Sequence, residues 1–281
     1  MRPPLRSILF VPGTREDRFS SAIGSGADAV VFDLEDSVEA SHKAEARDAV
    51  RRFQTASGDL GPLTLIRVNA FGSRWFQDDL ELAGRLPDLG GVVVPKAETI
   101  EALRVVAQVV GGERVFPLLE TARGVLNSAS LADAIPSVPA LLFGAEDLTA
   151  EIGAPRTTGG EELLFARSQV VLAAAAAGAD AIDAVFTDVA DADGLRRDAT
   201  RARALGFRGK MTIHPGQIAV VNEIFSPSAA EIAQADKVVS AFTAAQAAGS
   251  GVLRMGNEMV DAPVVARAQR VLDLARRLGK R

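Results

Sequence analysis

Short apolar runs recur along the chain, and each of them stops at charged residues. The runs read AVVFDLED, LIRVN, VVVPKAE, VFPLLETARG, LLFGAEDL and MTIHPG. Runs of this length, rich in Val, Ile, Leu and Phe and followed by helical patterns, are typical of strands buried on both faces of a parallel sheet. The charged residues therefore gather where strands end.

Helical patterns separate eight such runs, and several of these patterns end at a glycine suited to the position after a helix. The predicted strands lie in SILFVPG, AVVFDLED, TLIRVN, GVVVPK, VFPLLE, ALLFGAED, ADAIDAVF and KMTIHP. The alternation also describes an open doubly wound sheet, but no G-x-G-x-x-G turn follows the first strand. We therefore expect an α/β fold, a (β/α)8 TIM barrel, with residues 1–226 as the catalytic domain.

The carboxyl ends of the strands share one rim in such a barrel, and active sites lie on that rim. The pattern places eight ionisable side chains there: Asp33, Glu35, Asp36, Arg67, Lys96, Glu120, Asp147 and His214. This concentration of charge predicts an enzyme.

Composition favours a single domain and excludes several classes of protein. The 281 residues, 48% of them hydrophobic, can fill one barrel and the layer beneath its helices. The net charge of −5 argues against a nucleic-acid partner. The absence of cysteine fits a reducing compartment. Without a secretory signal or an apolar stretch of membrane-spanning length, we expect a cytoplasmic protein with no membrane partner.

Beyond the eighth strand the pattern changes. Residues 227–281 read as a helix, a glycine-rich bend or hairpin, and a last helix. We expect a C-terminal helical extension, which can pack on its own barrel or on that of a neighbour.

Paired carboxylates at strand ends suggest a magnesium site. Mg²⁺ prefers oxygen ligands from one or two carboxylates, with substrate and water in the other positions, and Glu120 and Asp147 end adjacent strands. Alternatively, each caps a helix or pairs with a basic residue such as Arg123. A zinc site is disfavoured because the chain has no cysteine and only two histidines. We interpret His42 as solvated, and His214 as either a site residue or a structural one.

Eight blocks along the chain together carry a specific resemblance. They are RSILFVPGTREDRF, VVFDLEDSV, LIRVN, VVVPKAE, LLETARGV, FGAEDLTAEIG, MTIHPGQI and MVDAPVVARAQ, in this order between Arg6 and Gln269. They resemble the citrate lyase beta-subunit family, which includes malyl-CoA, citramalyl-CoA and beta-methylmalyl-CoA lyases. The resemblance extends over nearly the whole chain.

The resemblance implies a Mg²⁺-dependent lyase that reversibly splits a 3-hydroxy-acyl thioester of the citryl, malyl or citramalyl type. The products are an acetyl-type thioester and a 2-keto acid. The partners would be a small keto acid and an acyl-CoA or acyl-carrier-protein thioester. By the same resemblance Glu120 and Asp147 bind the metal, while Arg67 is catalytic and contacts substrate near the thioester carbonyl.

The resemblance also implies a supporting role near the metal for Asp33, Glu35 and Asp36. Alternatively, Glu35 and Asp36 form salt bridges with Lys43 and Arg47. We interpret Lys43 and Arg47 as part of a solvated or structural helix face rather than as contacts to coenzyme A.

Three further roles complete the expected site. Lys96 and His214 are predicted to bind substrate together with Arg67 and Glu120. An acid must protonate the enolate carbon, and Asp261 in EMVDAP is similar to the aspartate that family members use. In the family this aspartate comes from an adjacent subunit, so we expect the extension to pack on a neighbour in a homotrimer or hexamer.

Three other functions remain open at this point. The chain could be the citryl-acyl-carrier-protein lyase subunit of a citrate lyase complex, or a non-catalytic binding protein with the same fold. A pyruvate aldolase of the related barrel superfamily is a further alternative, although the FDLEDSV and IHPGQ blocks favour the thioester branch.

Overall fold

The computed structural model describes residues 3–57, 61–86, 88–135, 137–247, 249 and 251–280. Contacts within the chain define two compact units. The larger is Leu5–Asn222, and the smaller is built mainly from residues 223 onwards.

Eight parallel strands close into a barrel in the larger unit, each beside its neighbours in chain order. They are β1 (Ser7–Pro12), β2 (Ala29–Asp33), β3 (Leu63–Arg67), β4 (Gly91–Val94), β5 (Val115–Leu119), β6 (Ala140–Phe143), β7 (Asp180–Asp183) and β8 (Gly209–Thr212). Pairing of β1 with β8, with Ile8 opposite Met211, completes the ring. The predicted (β/α)8 barrel is confirmed, and every strand overlaps one of the predicted runs.

Helices follow the strands on the outside of the barrel. They are α1 (Phe19–Ile23), α2 (Lys43–Ser57), α3 (Phe76–Arg85), α4 (Ile100–Val110), α5 (Ala122–Leu126), α6 (Ser128–Ala132), α7 (Ala145–Ile152), α8 (Leu164–Ala176), α9 (Ala192–Leu205) and α10 (Ile218–Ile224). Among the residues described, no helix has both the length and the apolar character needed to cross a bilayer.

Apolar side chains fill the barrel interior. Strand side chains alternate between the interior and the helix layer, and the interior set forms one buried cluster: Ile8, Ala29, Val31, Leu65, Val93, Phe116, Leu118, Ala140, Leu142, Ile182 and Met211. Because this interior is packed, the barrel is not a pore, and we expect the active site above it, at the carboxyl ends of the strands.

Four charged side chains, three of them buried and Asp198 partly buried, join β7 and β8 to the helices outside them. Arg167 on α8 donates to Asp183 at 2.9 Å and to Asp198 on α9 at 3.0 Å. Lys210 on β8 donates to Asp183 at 2.6 Å and to Asp198 at 2.5 Å. Buried charges are tolerated only when each is paired and hydrogen-bonded, so these four residues depend on one another.

The smaller unit has a core of its own. It contains α11 (Ala229–Ala247), an antiparallel hairpin of β9 (Leu253–Met255) and β10 (Glu258–Val260), and α12 (Ala262–Arg277). Apolar residues of both helices and the hairpin pack together: Ala235, Val238, Phe242, Val260 and Ala268. Of the two predicted alternatives between the helices, a glycine-rich bend or a hairpin, the structure has a short β-hairpin.

Candidate active site

Seven charged side chains meet at the carboxyl ends of the barrel strands, and we call them the mouth cluster: Asp33, Glu35, Asp36, Arg67, Lys96, Glu120 and Asp147. Asp33, Arg67 and Glu120 each lie two positions after an interior apolar residue of the same strand run. The alternation that fills the core therefore also points these three side chains into the mouth.

A cavity of about 390 Å³ opens at this mouth. Its polar lining includes Asp33, Asp36, Arg67, Glu120 and Asp147, and its apolar lining includes Phe10, Leu118, Val185, Met211 and Ile213. A small-molecule site typically has this volume and this mixture of apolar walls and a few converging polar groups.

Glu120 and Asp147 reach the cavity from different kinds of structure. Glu120 directly follows β5 and is buried. Asp147 was predicted at the end of a strand, but β6 ends at Phe143 and Asp147 lies in the first turn of α7. An acidic side chain is stabilised there because the amino end of a helix carries partial positive charge. The basic group nearest to Asp147 is Lys96 rather than Arg123, with Nζ 3.5 Å from Oδ2.

Gly144 allows β6 and its helix to approach Glu120 closely. A Cβ atom at this position would lie 2.4 Å from Cβ and 3.0 Å from Oε2 of Glu120. Any larger residue would push the carboxyl group out of place, so glycine is required here.

Arg67 is fixed by a two-pronged contact with Asp33. Its Nε donates to Oδ1 at 2.7 Å and its Nη2 to Oδ2 at 2.6 Å. The remaining nitrogen, Nη1, lies 3.1 Å from Glu35 and 3.5 Å from Asp36. Burial alone would lower the pKa of Arg67, but the charge and hydrogen bonds of Asp33 outweigh it and raise that pKa. The guanidinium is therefore a permanent, oriented cation.

Lys96 forms hydrogen bonds with two carboxylates of the mouth cluster, Glu120 and Glu35. Its backbone N–H donates to Oε1 of Glu120 at 2.8 Å, and its Nζ donates to Oε1 of Glu35 at 2.5 Å. The residue has a positive φ of 47°, in the left-handed region that residues other than glycine rarely adopt. This conformation is what directs the backbone N–H toward the carboxylate of Glu120.

Crowding of carboxylates changes how easily Glu120 ionises. Burial, together with the negative charges of Glu35 and Asp147, raises the pKa of Glu120 to about 8, although Arg67 opposes the shift. The group is costly to ionise where it stands, and a cation beside it would remove that cost.

Two side chains, those of Lys43 and Asn69, bind the backbone of the acidic loop after β2. Lys43 on α2 is buried and its Nζ donates to the carbonyl oxygens of Leu34 and Glu35, both at 2.7 Å. Asn69 donates its side-chain N–H to the same Leu34 oxygen at 2.9 Å. These two donors hold the backbone of the short loop that carries Glu35 and Asp36.

Of the two alternatives for Glu35 and Asp36, the contacts do not favour salt bridges with Lys43 and Arg47. Both carboxylates turn instead toward Arg67 and Lys96. Arg47 forms ion pairs with Asp78 and Asp79 of α3. The interpretation of Lys43 and Arg47 as structural agrees with these contacts.

Asp79 is a buried group of this region that the sequence did not indicate. Its carboxylate accepts from both the backbone and the side-chain N–H of Asn69, at 2.8 and 2.6 Å, and from Arg47 at 2.9 Å. Burial raises the pKa of Asp79, and these donors counteract the shift. Its position in a helical pattern, well after the RVN block, gave no sign of this contact.

His214 lies outside the mouth cluster. It is exposed after β8, and its Nδ1 accepts from the N–H of Gly216 at 3.1 Å, which caps the following turn. It lines a second cavity of about 360 Å³ together with Pro12, Arg18 and Ser21. Pro12 and Arg18 also line the first cavity, so the two cavities are neighbours.

Asp261, the last predicted site residue, belongs to the smaller unit. It caps the amino end of α12 by accepting from the backbone N–H of Val264 at 3.2 Å.

The donors at the mouth fit a hard divalent cation. Five carboxylates of the mouth cluster face two cations, so the cluster has an excess of formal negative charge. Within the residues described, no three His, Cys or acidic side chains converge as a complete metal cage. Mg²⁺ suits such a site because it commonly takes one or two protein carboxylates and leaves its other positions to substrate and water.

Comparison with known protein families identifies the type of protein to which this site belongs. Residues 6–215 match the HpcH/HpaI aldolase/citrate lyase family. The chain belongs to that family. Residues 164–279 also match a family described as carbon–carbon bond lyases of the TIM-barrel fold. The predicted resemblance is confirmed, and the chain is a lyase.

Curated relatives align with nearly the full chain. The citrate lyase subunit beta-like protein of Deinococcus radiodurans is 43% identical, over 96% of this chain and 98% of its own length. A (3S)-malyl-CoA thioesterase of Cereibacter sphaeroides is 34% identical, with 96% and 94% covered. The mitochondrial citramalyl-CoA lyase of Homo sapiens is 36% identical, with 97% and 86% covered.

Solved structures are similar to this chain in fold and sequence. The protein CitE from Mycobacterium tuberculosis, in complex with magnesium, acetoacetate and coenzyme A, superposes with a TM-score of 0.83 at 36% identity, covering 100% of both chains. The citrate lyase beta subunit of the same organism, complexed with oxaloacetate and magnesium, gives a TM-score of 0.68 at 36% identity and covers 80% of this chain and 98% of its own.

Proposed function

We propose that this chain is a Mg²⁺-dependent carbon–carbon lyase. It reversibly cleaves a 3-hydroxy-acyl thioester of the citryl, malyl or citramalyl type into an acetyl-type thioester and a 2-keto acid. The observation that carries this proposal is the meeting of Arg67, Glu120 and Asp147 around one cavity with an excess of negative charge. Relatives named for lyases, and CitE structures holding magnesium with keto acids, support it.

Glu120 and Asp147 would hold the metal, one from the end of β5 and the other from the first turn of α7. When bound, the ion supplies Lewis-acid polarisation of the keto-acid carbonyl. Asp33, Glu35 and Asp36 support this site indirectly, because they hold Arg67 and Lys96 in place.

Arg67 would stabilise the negative charge that forms on the thioester during cleavage. A base removes the proton of the 3-hydroxyl group, the carbon–carbon bond breaks, and charge moves to the thioester enolate. A preoriented donor is most effective where such charge develops. Asp33 holds Nε and Nη2 of the guanidinium, and Glu35 and Asp36 lie near Nη1, so the enolate oxygen would meet a cation already held in one orientation.

The remaining parts of the substrate would meet Lys96 and His214. Lys96 lies within the mouth cluster, where its ammonium can face a substrate carboxylate. His214 lines the neighbouring cavity, which suits a more distant part of the thioester.

Asp261 would supply the proton that the enolate carbon takes up, or remove it in the condensation direction. We propose that it acts on a neighbouring subunit, which requires a closed oligomer such as a homotrimer or hexamer. We also propose that the protein is cytoplasmic and that it has no nucleic-acid or membrane partner.

Two kinds of relative favour two other candidate functions. The (3S)-malyl-CoA thioesterases favour hydrolysis of the thioester rather than cleavage of the carbon–carbon bond. The citrate lyase subunit beta of Leuconostoc mesenteroides, 34% identical, favours a subunit that works on a carrier-protein thioester.

An assay of the purified chain alone distinguishes these functions. With magnesium, malyl-CoA and citramalyl-CoA should yield acetyl-CoA plus glyoxylate or pyruvate, and acetyl-CoA or propionyl-CoA should condense with glyoxylate, pyruvate or oxaloacetate. Free CoA with intact malate or citramalate would identify a thioesterase. Activity that appears only with an acyl-carrier-protein thioester would identify a complex subunit, and no turnover on any of them would reject the lyase.

A further inference from the structure

Lys96 has an unusual place in the mouth cluster because its ammonium faces several carboxylates at once. Nζ lies 2.5 Å from Glu35, 3.5 Å from Asp147 and 3.6 Å from Asp36. The contact with Glu35 is a hydrogen bond, whereas those with Asp147 and Asp36 are longer ion pairs. One carboxylate therefore holds the ammonium firmly and the other two hold it loosely.

The two cations of the cluster differ in how freely they can move. Arg67 is locked by both of its hydrogen bonds to Asp33, and only 11% of its side chain is exposed. The side chain of Lys96 is 38% exposed, and lysine carries a compact charge on a flexible stem. If a metal ion enters the mouth, the side chain of Lys96 can move away from it, whereas that of Arg67 is held in place.

Glu35 can retain the ammonium after such a movement. Its Oε2 is buried and has no hydrogen-bond partner among the described residues, although Nη1 of Arg67 lies 3.1 Å away. The ammonium could turn toward Glu35 alone and leave Asp147 free.

We propose that Lys96 serves as an internal substitute cation, which a divalent metal ion displaces from Asp147 when it binds. This inference rests on the proposed function, because it takes Glu120 and Asp147 as the metal ligands. The backbone of Lys96 stays in place during the exchange and continues to donate to Glu120. Lys96 thus orients Glu120 with its backbone N–H and forms an ion pair with Asp147 until the metal ion binds.

The competition determines whether loss of the Lys96 charge raises or lowers the affinity for the metal ion. If the ammonium competes with the metal for Asp147, removing its charge must strengthen metal binding, roughly tenfold or more, because charges about 4 Å apart interact strongly even near solvent. A purely structural or substrate-binding role predicts the opposite or no change, since loss of a supporting contact does not strengthen binding of an ion.

Calorimetric titration of the substrate-free protein with magnesium chloride tests this. Lys96→Met removes the charge and keeps most of the stem, so it should bind Mg²⁺ about tenfold or more tightly than the unmodified chain. Lys96→Arg keeps the charge and should bind Mg²⁺ within about threefold of the unmodified chain. Lys96→Gly removes the charge and adopts the left-handed backbone without strain, so it should match Lys96→Met and replaces that variant if Lys96→Met does not fold.

The same titration separates failure of this inference from failure of the proposed function. Magnesium binding by the unmodified chain that is lost in Glu120→Ala supports the metal site itself. If that holds and the two charge-removing variants bind Mg²⁺ no more tightly, the substitute-cation role is overturned and the metal site stands. No binding by the unmodified chain, or binding unaffected by Glu120→Ala, overturns both.

Discussion

Arg67 shows how one residue can be both a structural pair and a candidate catalytic group. Asp33 fixes the plane of the guanidinium, and Ser37 donates its hydroxyl to the same carboxylate. Burial would raise the pKa of Asp33, but the charge and hydrogen bonds of Arg67 hold it below its usual range. Both groups stay ionised, so the guanidinium is held in one orientation in the lining of the cavity.

Replacing Arg67 by lysine should separate these two roles. Lysine keeps the positive charge but lacks the planar fork, so we expect the turnover rate to fall by about a hundredfold or more, as for loss of one oxyanion donor. Steady-state kinetics measures the rate, and calorimetry should find that magnesium and keto acid still bind. Near-normal turnover would mean that Arg67 serves only as the partner of Asp33.

Substitution of the proposed metal ligands should affect activity and metal binding without affecting the stability of the fold. We expect Glu120→Ala and Asp147→Asn to abolish turnover and weaken magnesium binding while the thermal unfolding midpoint is retained. Burial raises the pKa of Glu120 to about 8, so its removal relieves a cost rather than creating one. Glu151→Gln, an exposed change on the same helix as Asp147, is the control and should leave magnesium affinity normal. Unchanged affinity in both ligand variants would remove the metal assignment.

The sequence could indicate site residues only where a simple rule links position to place. Strand ends of a barrel share one rim, so Asp33, Arg67 and Glu120 were predictable from their positions in apolar runs. The left-handed backbone of Lys96 was not, because no glycine marks it. Asp79 was not predictable either, because its contact with Asn69 depends on how a helix packs.

At the scale of elements, the fold was more predictable than the contacts that hold its layers together. Alternation of apolar runs with helical patterns indicated all eight strands. The four-charge network between β7, β8, α8 and α9 gave no such pattern, because its members are separated along the chain and two of them, Arg167 and Asp198, lie in ordinary helical stretches.

Asp198 links the stability of this network to pH. Burial would raise the pKa of Asp198, but the charges of Lys210 and Arg167 and their hydrogen bonds lower it. A folded-state pKa below the unfolded value, which is near 3.9 for aspartate, means that the contribution is present above that value and is lost as pH falls through the folded pKa.

We therefore expect Asp198→Asn to reduce the free energy of unfolding by roughly 3 kcal/mol at pH 7, because Arg167 and Lys210 are left with a single carboxylate. Urea denaturation at pH 7, 5, 4 and 3 measures the effect, and the gap from the unmodified chain should narrow below about pH 4. Asp48→Asn removes an exposed ion pair with Arg51 and should change little. A gap that stays constant down to pH 3 would contradict the linkage.

At the scale of the whole molecule, the chain combines a barrel unit that has the mouth cluster with a smaller unit that has Asp261. The side-chain carboxylate of Asp261 accepts from the backbone N–H of Val264, which places it at the start of α12, after the β9–β10 hairpin. Sequence alone indicated this residue only through the family resemblance. No periodicity marks an aspartate as the residue that completes a neighbour's site.

A mixing experiment tests whether Asp261 completes the active site of another copy. Glu120→Ala has a defective mouth and an intact Asp261, whereas Asp261→Ala has an intact mouth and a defective acid, so each alone should be inactive. After refolding the two together, some sites would join an intact mouth from one chain to an intact Asp261 from another, and turnover should return to a fraction of the unmodified level. Refolding either variant alone is the control. If Asp261 instead acts within its own chain, every site inherits one defect and no mixture regains activity, which would rule out the shared site.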